Sequence, residues 1–380
     1  MAELNRHRYD NAVRVLEALW RRQRMSRADL ARLLRLDRST TGSLVDYLLG
    51  IELLDERPSD GEHRTGRQGG RPPLLVGLAA DRGYTIGVDI RPESVRVIAA
   101  DLFGRPVAEH QESVSCRPDS LADNVSSVIA SAVSSVQSSA PHFCEQLPGL
   151  VGVGIAVSGI VDGDAGTVGF SRALEIHEPL NLVSQLEAIA PSPIYVFNDA
   201  DACALAEFEF VRIHEHDLLF VLGSFEPPSV RAGLGIVLDG NLRKSHSGVG
   251  REFRSPFAGA HSSEQFAVSD LLARGELCDS DAFDRFSEEL AVSVAFLVHA
   301  LDLRNIVLGG DLSETDERFD FVASKVREHV RTDTVQSGEQ PLDLRRAEMG
   351  GRSTAFGACA GALRRSFETR RFPLAQKEAV

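Results

Sequence analysis

The sequence predicts an N-terminal winged helix-turn-helix domain, mostly α-helical, followed by a two-lobed α/β body. Three short helical patterns and a Gly- and Arg-rich stretch fill residues 1–80, whereas glycine-punctuated strands and strand–helix units repeat through 81–380. The strand–helix pattern occurs twice, which divides the body into lobes at 81–200 and 201–380. A chain of 380 residues is also too long for one ordinary hydrophobic core.

Composition narrows the class of protein. With 43% hydrophobic and 25% charged residues, the chain falls in the range of globular proteins. It has no apolar run near the roughly 18 residues of a membrane span, and its first residues lack a signal-peptide core, which predicts a cytoplasmic protein with no membrane partner. The five cysteines are scattered without a CxxC pair, which favours reduced, mostly buried thiols over a disulfide framework or a zinc site.

Charge is distributed unevenly between head and body. Residues 1–72 carry 14 arginines and 11 acidic residues, a net charge of +3, although the whole chain carries −14. The remainder is therefore strongly acidic, with a net charge of −17. A mildly basic head on an acidic body favours a head that reads nucleic acid, although +3 alone is weak evidence.

The head contains three helical patterns, "NAVRVLEALWRRQR", "SRADLARLLRL" and "RSTTGSLVDYLLG". Ser26 with Asp29 resembles a capping box at the start of the second pattern. The third begins with small hydroxyl residues and arginine, which can bond phosphates and base edges in the major groove. The predicted DNA contacts from the helices are Arg27, Arg38, Ser39, Thr40, Thr41 and Ser43.

A Gly- and Arg-rich segment, "RPSDGEHRTGRQGGRPP", separates two short apolar stretches after the third helix. It predicts a wing and basic linker, with Arg64, Arg67 and Arg71 reaching the DNA backbone or minor groove. The alternative is a helical oligomerisation domain with a solvated loop. The order of helices, turn and wing favours DNA binding.

The body alternates hairpins with strand–helix units. "YTIGVDI" with "SVRVIAADLFGRPV", and "HDLLFVLGS" with "GLGIVLDGNL", are hairpin-like, whereas "PIYVFND" and "RNIVLGGDLSE" lead into helices. Two similar lobes facing a cleft are expected, and such a cleft is a favoured place for a ligand. The pair Asn198-Asp199 lies where the strand "PIYVFND" meets an alanine-rich helix.

Eight segments together resemble the ROK family, the bacterial sugar kinases and sugar-responsive repressors with an actin/hexokinase-like (ribonuclease H-like) fold. They are "SRADLARLL", "GGRPP", "VGVGIAVSGIVD", "NDADACALAE", "GLGIVLDG", "GREF", "IVLGGDLS" and "FGACAGAL", and they occur in family order over nearly the whole chain. The repressor branch of the family carries an N-terminal winged helix-turn-helix, which this sequence also predicts.

The phosphate-binding segments depart from the family kinases. A DxGGT-like loop lets backbone N–H groups approach ATP phosphates in those kinases. Here Asp89 is followed by Arg91-Pro92-Glu93, and in "VRAGLGIVLDG" only Gly233 and Gly235 of a GTGxG loop are present. These changes predict that ATP is not used efficiently and that the protein has no cofactor. "LGGDLS" resembles the adenosine-side loop, but such a turn is as often structural.

The zinc motif of the family is also incomplete. Members often carry GExGH followed by a cysteine cluster that holds a structural zinc. Here Ser255 replaces the histidine, the segment is short and has no cysteine, and His261 alone cannot hold the ion. The sequence therefore predicts no metal.

The sugar-contacting positions are better retained. By resemblance, Asn198 and Asp199 contact sugar hydroxyls, and Asp199 would be the catalytic base if the protein were a kinase. The resemblance also assigns ligand contacts to Gly159, Glu252 and Glu264. The alternatives are that Asp199 caps a helix and that the two glutamates are surface carboxylates.

Three functional hypotheses follow. The first is a repressor that binds operator DNA as a homodimer or homotetramer and senses a sugar or sugar derivative without phosphorylating it. The second is an ATP-dependent hexose or amino-sugar kinase with a regulatory DNA-binding head. The third is a protein that has lost sugar binding. The segment "FGACAGAL" is typical of close helix packing but does not decide between dimer and tetramer.

Overall fold

The computed structural model describes residues 5–58, 74–145, 149–187, 192–212, 216–227, 229–243, 253–259, 262, 264–276, 279–330 and 342–374. The helices are α1 (Arg6–Arg22), α2 (Arg27–Leu34), α3 (Arg38–Gly50), α4 (Leu121–Ser139), α5 (His142–Glu145), α6 (Leu182–Leu186), α7 (Asp199–Leu205), α8 (Ala267–Ala273), α9 (Asp279–Leu301), α10 (Asp316–His329) and α11 (Ser353–Glu368). One π-helical segment, Ala206–Val211, continues α7.

In the described ranges the strands form four sheets. They are β1 (Arg24–Ser26), β2 (Leu54–Pro58), β3 (Leu74–Leu78), β4 (Gly83–Arg91), β5 (Ser94–Asp101), β6 (Pro106–Glu112), β7 (Gly149–Val157), β8 (Ile160–Asp162), β9 (Thr167–Phe170), β10 (Leu180–Asn181), β11 (Ile194–Asn198), β12 (Leu218–Glu226), β13 (Ser229–Leu238), β14 (Asn241–Leu242), β15 (Asn305–Gly310) and β16 (Asp343–Arg346). Two sheets have five strands, one in each lobe, and two small sheets have three.

The head consists of α1, α2 and α3 with the antiparallel sheet β1-β3-β2. Ser26 is the N-cap of α2, because its hydroxyl accepts from the Asp29 backbone N–H at 3.1 Å; the Asp29 carboxylate accepts from the same hydroxyl at 2.7 Å and not from the Ser26 backbone N–H, so only half of the predicted capping box forms. Asp37 caps α3 in the same way by accepting from the Thr40 N–H at 2.7 Å. Strands β2 and β3 flank residues 59–73, so Arg64, Arg67 and Arg71 lie outside the described residues.

Both lobes repeat one strand arrangement. In the first lobe β4, β5 and β6 form an antiparallel meander, and β7 and β11 join parallel to it in the order β11-β7-β4-β5-β6. In the second, β12, β13 and β14 form the meander, and β15 and β16 join parallel to it. This repetition confirms that the two halves of the body are alike.

The predicted lobe boundary at residue 200 assigns the last helix, α11, to the second lobe, but α11 packs on the first. Helix α11 packs on β4 and β7 of the first lobe and against α7, although it lies within 201–380 in the sequence. A Cβ atom at Gly357 would come within 1.6 Å of the Ala202 carbonyl oxygen, so only glycine allows α7 and α11 to approach this closely. The small residues of "FGACAGAL" therefore serve packing within the chain.

Head and body share one hydrophobic core. Residues of α1, β5 and α11 belong to a single buried cluster that includes Trp20 and Phe367. The Trp20 indole N–H donates to the Leu102 carbonyl at 3.1 Å, and the Tyr9 hydroxyl lies within 2.8 Å of the carbonyl oxygens of Arg370 and Phe372. The head is thus attached to the first lobe and to the segment that follows α11.

None of the helices described is both long and apolar enough to cross a membrane. Cys116, Cys203 and Cys359 are free and buried, as the sequence predicts.

Candidate functional site

A cavity of about 380 Å³ is lined by residues of both lobes. The first lobe contributes the ends of β4, β7 and β11, and the second contributes β12, β13, and residues near the start of α8. Gly159, Asn198, Asp199 and Glu264 all line it, so the structure brings together the four predicted ligand residues that it describes. Glu252 lies outside the described residues, and its predicted role stays a prediction.

Asn198, and not Asp199, is the N-cap of α7. The Asn198 amide oxygen accepts from the backbone N–H groups of Ala200 and Asp201 at 3.0 and 3.3 Å, and its amide nitrogen donates to the Gly159 carbonyl at 3.0 Å. Asn198 therefore ties the start of α7 to the loop after β7. The second amide hydrogen on that nitrogen is available to a ligand, because each amide nitrogen carries two.

Asp199 is a half-buried carboxylate in the cavity wall. One carboxylate oxygen accepts from the Ala200 N–H at 2.8 Å, and the other has no hydrogen-bond partner among the described residues. Burial, with the nearby charge of Asp89, raises the pKa of Asp199 to about 6, against the favourable effects of the Ala200 N–H and Arg91. An acceptor of this kind can bind a hydroxyl or remove its proton.

Gly159 shapes the same wall. Its φ of +120° is a conformation that other residues rarely adopt, and a Cβ atom there would lie 2.2 Å from the Phe170 carbonyl oxygen. The loop after β7 can therefore reach Asn198 only with glycine at this position.

Glu264 is involved in an ion pair across the cavity. Arg172, which follows β9 in the first lobe, donates to its carboxylate at 3.1 Å. The Glu264 side chain is one quarter exposed and that of Arg172 about one half. The pair joins residues 92 positions apart and links the two lobes at the cavity. A ligand that uses Glu264 would share it with this arginine.

The turn between β4 and β5 has no loop that could surround a phosphate. Arg91 pairs with Ser94, so only Pro92 and Glu93 connect the strands. Arg91 Nε donates to the Asp89 carboxylate at 3.1 Å. Burial raises the pKa of Asp89, and the adjacent Arg91 opposes that rise. A guanidinium thus lies where a glycine-rich loop would offer backbone N–H groups.

The remaining glycines of the second phosphate-loop motif have a packing role. A Cβ atom at Gly235 would lie 2.2 Å from the Ala200 carbonyl oxygen, and one at Gly233 would lie 2.9 Å from the Ala200 Cβ. Both glycines allow β13 to lie against α7. In "LGGDLS", a Cβ atom at Gly309 would lie 2.4 Å from the Phe220 ring, so packing also accounts for that glycine.

No cluster of three or more His, Cys, Asp or Glu side chains suited to a metal ion occurs within the described ranges. Ser255, at the position of the family histidine, is buried, and its hydroxyl accepts from the Phe257 N–H at 3.2 Å. His261 is not among the residues that the structure describes, so the absence of zinc stays a prediction.

Comparison with known proteins identifies the family. The model of the ROK family matches residues 85–253 and 259–365. The chain belongs to the ROK family. The xylose repressor of Bacillus subtilis (strain 168) is 27% identical over 245 residues, which is 63% of this chain and 58% of that protein. The xylose repressor of Staphylococcus xylosus is 22% identical over 76% of this chain and 70% of its own length. A glucokinase of Streptomyces coelicolor also matches, with 29% identity over 45% of this chain and 49% of the glucokinase.

Solved structures of ROK proteins share the fold. A ROK family transcriptional regulator, a homologue of the E. coli MLC protein, superposes with a TM-score of 0.70 at 16% identity, over 96% of this chain and 98% of the regulator. A Streptomyces griseus ROK glucokinase in complex with glucose and AMPPNP has a TM-score of 0.55 at 21% identity, over 73% of this chain and 98% of the glucokinase. The predicted actin/hexokinase-like architecture of the body is thus confirmed, and the relatives named repressors support the repressor branch of the ROK family.

Some of the side chains predicted to contact DNA are exposed, whereas others are buried or bonded within the head. Arg38, Ser39 and Ser43 are exposed on α3, and Thr40 is half-buried with its hydroxyl donating to Asp37. Thr41 is fully buried, and its hydroxyl donates to the Asp37 carbonyl at 3.0 Å, so its prediction as a DNA contact is wrong. Its helical position turns the side chain into the head core.

Arg27 forms ion pairs within the head. Its guanidinium pairs with Asp46 of α3 at 2.6 Å and with Glu56 of β2 at 3.3 Å. Its side chain is about one third exposed, so a DNA contact would compete with both carboxylates. No local pattern predicts this pairing, because the partners lie 19 and 29 residues away.

The cavity residues that the sequence did not single out include Arg172, Arg231 and Gln265. Arg231 and Gln265 line the cavity from the second lobe, and Arg172 lines it from the first. The Gln265 amide oxygen accepts from the Ala232 N–H at 2.9 Å, which fixes its position beside β13. The signal for Arg231 was its place two residues before Gly233 in the altered phosphate-loop motif.

Proposed function

We propose that this ROK protein is a transcriptional repressor that senses a sugar or sugar derivative without phosphorylating it. The observation that carries the proposal is the contrast within one cavity. The Asn198-Asp199 corner is intact and accessible, whereas the β4–β5 turn is a two-residue hairpin with Arg91 bonded to Asp89. The described walls of this cavity can bind hydroxyls but offer no loop of backbone N–H groups to a nucleoside triphosphate.

The head supports the DNA-binding half of the proposal. Its order of elements, α1-β1-α2-α3-β2-β3, is the one expected for a winged helix-turn-helix with α3 as the recognition helix. The N-terminal end of α3 exposes Arg38 and Ser39, which can contact phosphates and base edges. A homodimer would present two such helices to half-sites about 34 Å apart or a multiple of that distance. Operator binding would place the protein in the cytoplasm.

A continuous set of contacts connects the cavity with the head. Helix α7 begins at the cavity, packs on α11 through Gly357, and α11 packs through Phe367 on Trp20 of α1. A ligand that favours one arrangement of the lobes would change the position of α11 relative to the head, and through it DNA affinity.

The alternative function is a sugar kinase with a regulatory head. Asp199 favours it, because a carboxylate with a pKa of about 6 can act as a general base at neutral pH. Relatives named glucokinases keep this alternative open.

DNA binding, effector response and turnover can be measured on the full chain. Fluorescence anisotropy with DNA from upstream of the protein's own gene should show binding that weakens steeply with salt. One sugar or sugar derivative should raise thermal stability and shift DNA affinity. A coupled assay should detect no ATP-dependent turnover of hexoses or amino sugars. Turnover abolished by Asp199→Asn would establish the kinase instead, and the absence of salt-sensitive DNA binding would refute the repressor.

A further inference from the structure

Two arginines reach the cavity from opposite lobes with unfilled donors. Arg91 ends β4 and Arg231 lies near the start of β13, and both line the cavity. Arg91 uses only Nε, toward Asp89, and Arg231 uses only Nε, toward the Ser229 hydroxyl at 3.1 Å. In the part of the chain that the structure describes, the terminal nitrogens of both guanidinium groups make no hydrogen bond. Each arginine therefore keeps the donor pair that binds planar or tetrahedral anions.

Both arginines line the same cavity as Asp199. The pKa of Arg91 is raised mainly by the charge of Asp89, with a smaller contribution from Asp199. Asp199 also lies against β13, since its Oδ1 would be 3.9 Å from a Cβ atom at Gly233. Side chains two positions apart on a strand share a face, so Arg231 extends from the same face of β13 that Gly233 presents to Asp199.

Formal charge alone does not decide what binds at this end of the cavity. Asp89 and Asp199 balance Arg91 and Arg231, so the four groups together are neutral. The difference lies in hydrogen bonding, since Asp89 already accepts a bond from Arg91 Nε, whereas the terminal nitrogens of both arginines make none in the described residues. Guanidinium forks bind phosphate and carboxylate in a bidentate manner, and they do so better than they bind hydroxyls, whose single oxygen cannot accept both bonds of a fork in parallel.

We propose that Arg91 and Arg231 form an anion-binding subsite beside Asp199 and that the effector is a sugar bearing an anionic group, either a phosphate ester or a carboxylate. The proposal rests on the sugar-sensing function proposed above. Asn198 and Asp199 bind hydroxyls of the sugar, and the two arginines bind its anionic group from the two lobes. Because the arginines come from different lobes, the anion would draw the lobes together.

The test uses the full chain and three groups of probes in isothermal titration calorimetry. Neutral probes are glucose, galactose, mannose, xylose and N-acetylglucosamine; phosphate esters are the 6-phosphates of glucose, mannose and N-acetylglucosamine; carboxylates are glucuronate and galacturonate. Inorganic phosphate and ATP are added as sugar-free and nucleotide anions. At least one phosphate ester or uronate should bind tenfold or more tightly than its neutral parent, and which group does so identifies the anion.

Variants separate the subsite from general electrostatics. Arg91→Gln and Arg231→Gln should each weaken the anionic sugar tenfold or more, while changing the affinity of the neutral parent less than twofold. Arg274→Gln removes an exposed arginine paired with Glu276 outside the cavity and should change neither affinity. Arg91→Gln also removes the hydrogen-bond donor to the buried Asp89 carboxylate and could therefore unfold the protein. Arg231 has no carboxylate partner in the described residues. If Arg91→Gln is unstable, the affinities of Arg231→Gln therefore test the subsite.

The outcomes distinguish this inference from the proposed function. A neutral sugar that binds as tightly as its phosphate or uronate and releases DNA would overturn the subsite and leave the repressor function standing. DNA binding with no response to any sugar would overturn sugar sensing and the subsite together. Equal binding of inorganic phosphate and sugar phosphates, or arginine-dependent binding of ATP alone, would show an anion site without sugar recognition and would also overturn the inference.

Discussion

The rings of Trp20 in α1 and Phe367 in α11 lie with their centroids 5.3 Å apart in the buried core that head and body share. Phe367 in turn stacks on Phe372 at 5.1 Å. The three aromatic side chains thus make the head part of the same packing unit as the last helix. Since α11 also contacts α7, any rearrangement near Asp199 that moves α11 acts on this aromatic contact.

Phe367→Ala should lower the free energy of unfolding by about 3–5 kcal/mol, because it removes a fully buried ring and leaves a cavity. Trp20 is the only tryptophan, so its fluorescence reports on this interface alone. The variant should shift the emission to longer wavelength before global unfolding in a urea titration. Phe296→Ala is the control, because that ring is 72% exposed and should change neither quantity. Unaltered emission in Phe367→Ala would show that the head is not packed on α11 in solution.

Arg38→Ala should weaken DNA binding about tenfold and reduce the slope of log affinity against log salt by about one, because it removes one exposed cation at the start of α3. Anisotropy titrations at several salt concentrations measure both. Thr41→Val serves as the matched control on the same helix turn, since Thr41 is buried. It should cost about 1 kcal/mol of stability through the lost hydrogen bond to Asp37 and leave the salt slope unchanged. A reduced slope in Thr41→Val with an unchanged slope in Arg38→Ala would refute the assignment of α3.

Asp199→Asn should stabilise the ligand-free protein at pH 8 by about 1–2 kcal/mol, a value discounted for the partial exposure of the side chain. The folded-state pKa of Asp199, about 6, lies above its usual value of 3.8. The unfolded chain therefore binds fewer protons between these two values, and Asp199 lowers stability as pH rises through that window. The gain from the variant should consequently be smaller at pH 5 than at pH 8.

Chemical denaturation at the two pH values tests this effect, with the effector assay as the second readout. The same variant should bind its sugar ligand more weakly, because asparagine offers a donor where the carboxylate only accepts. An equal gain in stability at both pH values would mean that the pKa of Asp199 is not raised.

Glu209→Gln should destabilise the protein by about 3 kcal/mol or more. Glu209 and Arg364 form an ion pair at 2.7 Å with both side chains only 7% exposed, so the variant leaves a buried guanidinium without its full counter-charge. The exposed Arg32–Asp29 pair on α2 supplies the control, and Arg32→Ala should leave the urea midpoint unchanged. Equal midpoints for Glu209→Gln and the wild type would show that Asn241 and Glu368 suffice to hold Arg364.

Much of the head could be predicted because its signals are local. The expected third helix, "RSTTGSLVDYLLG", coincides with α3, and Ser26 caps α2 through a residue only three positions away. The repeated strand pattern of the body was also visible, because alternation and glycine turns act over a few residues. The same local reasoning failed at Thr41, since which side of a helix is buried depends on α1 and α2 packing against it.

Four residues that the sequence singled out line one cavity, but their contacts could not be predicted. The sequence singled out Asn198 and Asp199, yet only the structure shows that Asn198 is the cap and leaves Asp199 with an unbonded oxygen in the cavity wall. From the sequence, Arg91 is recognised only as a change in a phosphate loop, and Arg231 is not singled out. Their convergence depends on two lobes whose strands are far apart in the chain.

The sequence by itself determined the three helices of the head, the duplicated α/β pattern, the altered phosphate loops and the Asn-Asp pair, because each depends on residues within a few positions of one another. Only the tertiary structure decided that α11 belongs to the first lobe, that Trp20 packs on Phe367, and that Arg172 pairs with Glu264 across the cavity. These contacts join segments from 92 to more than 300 residues apart, where packing geometry, rather than the preference of any local stretch, selects the partner.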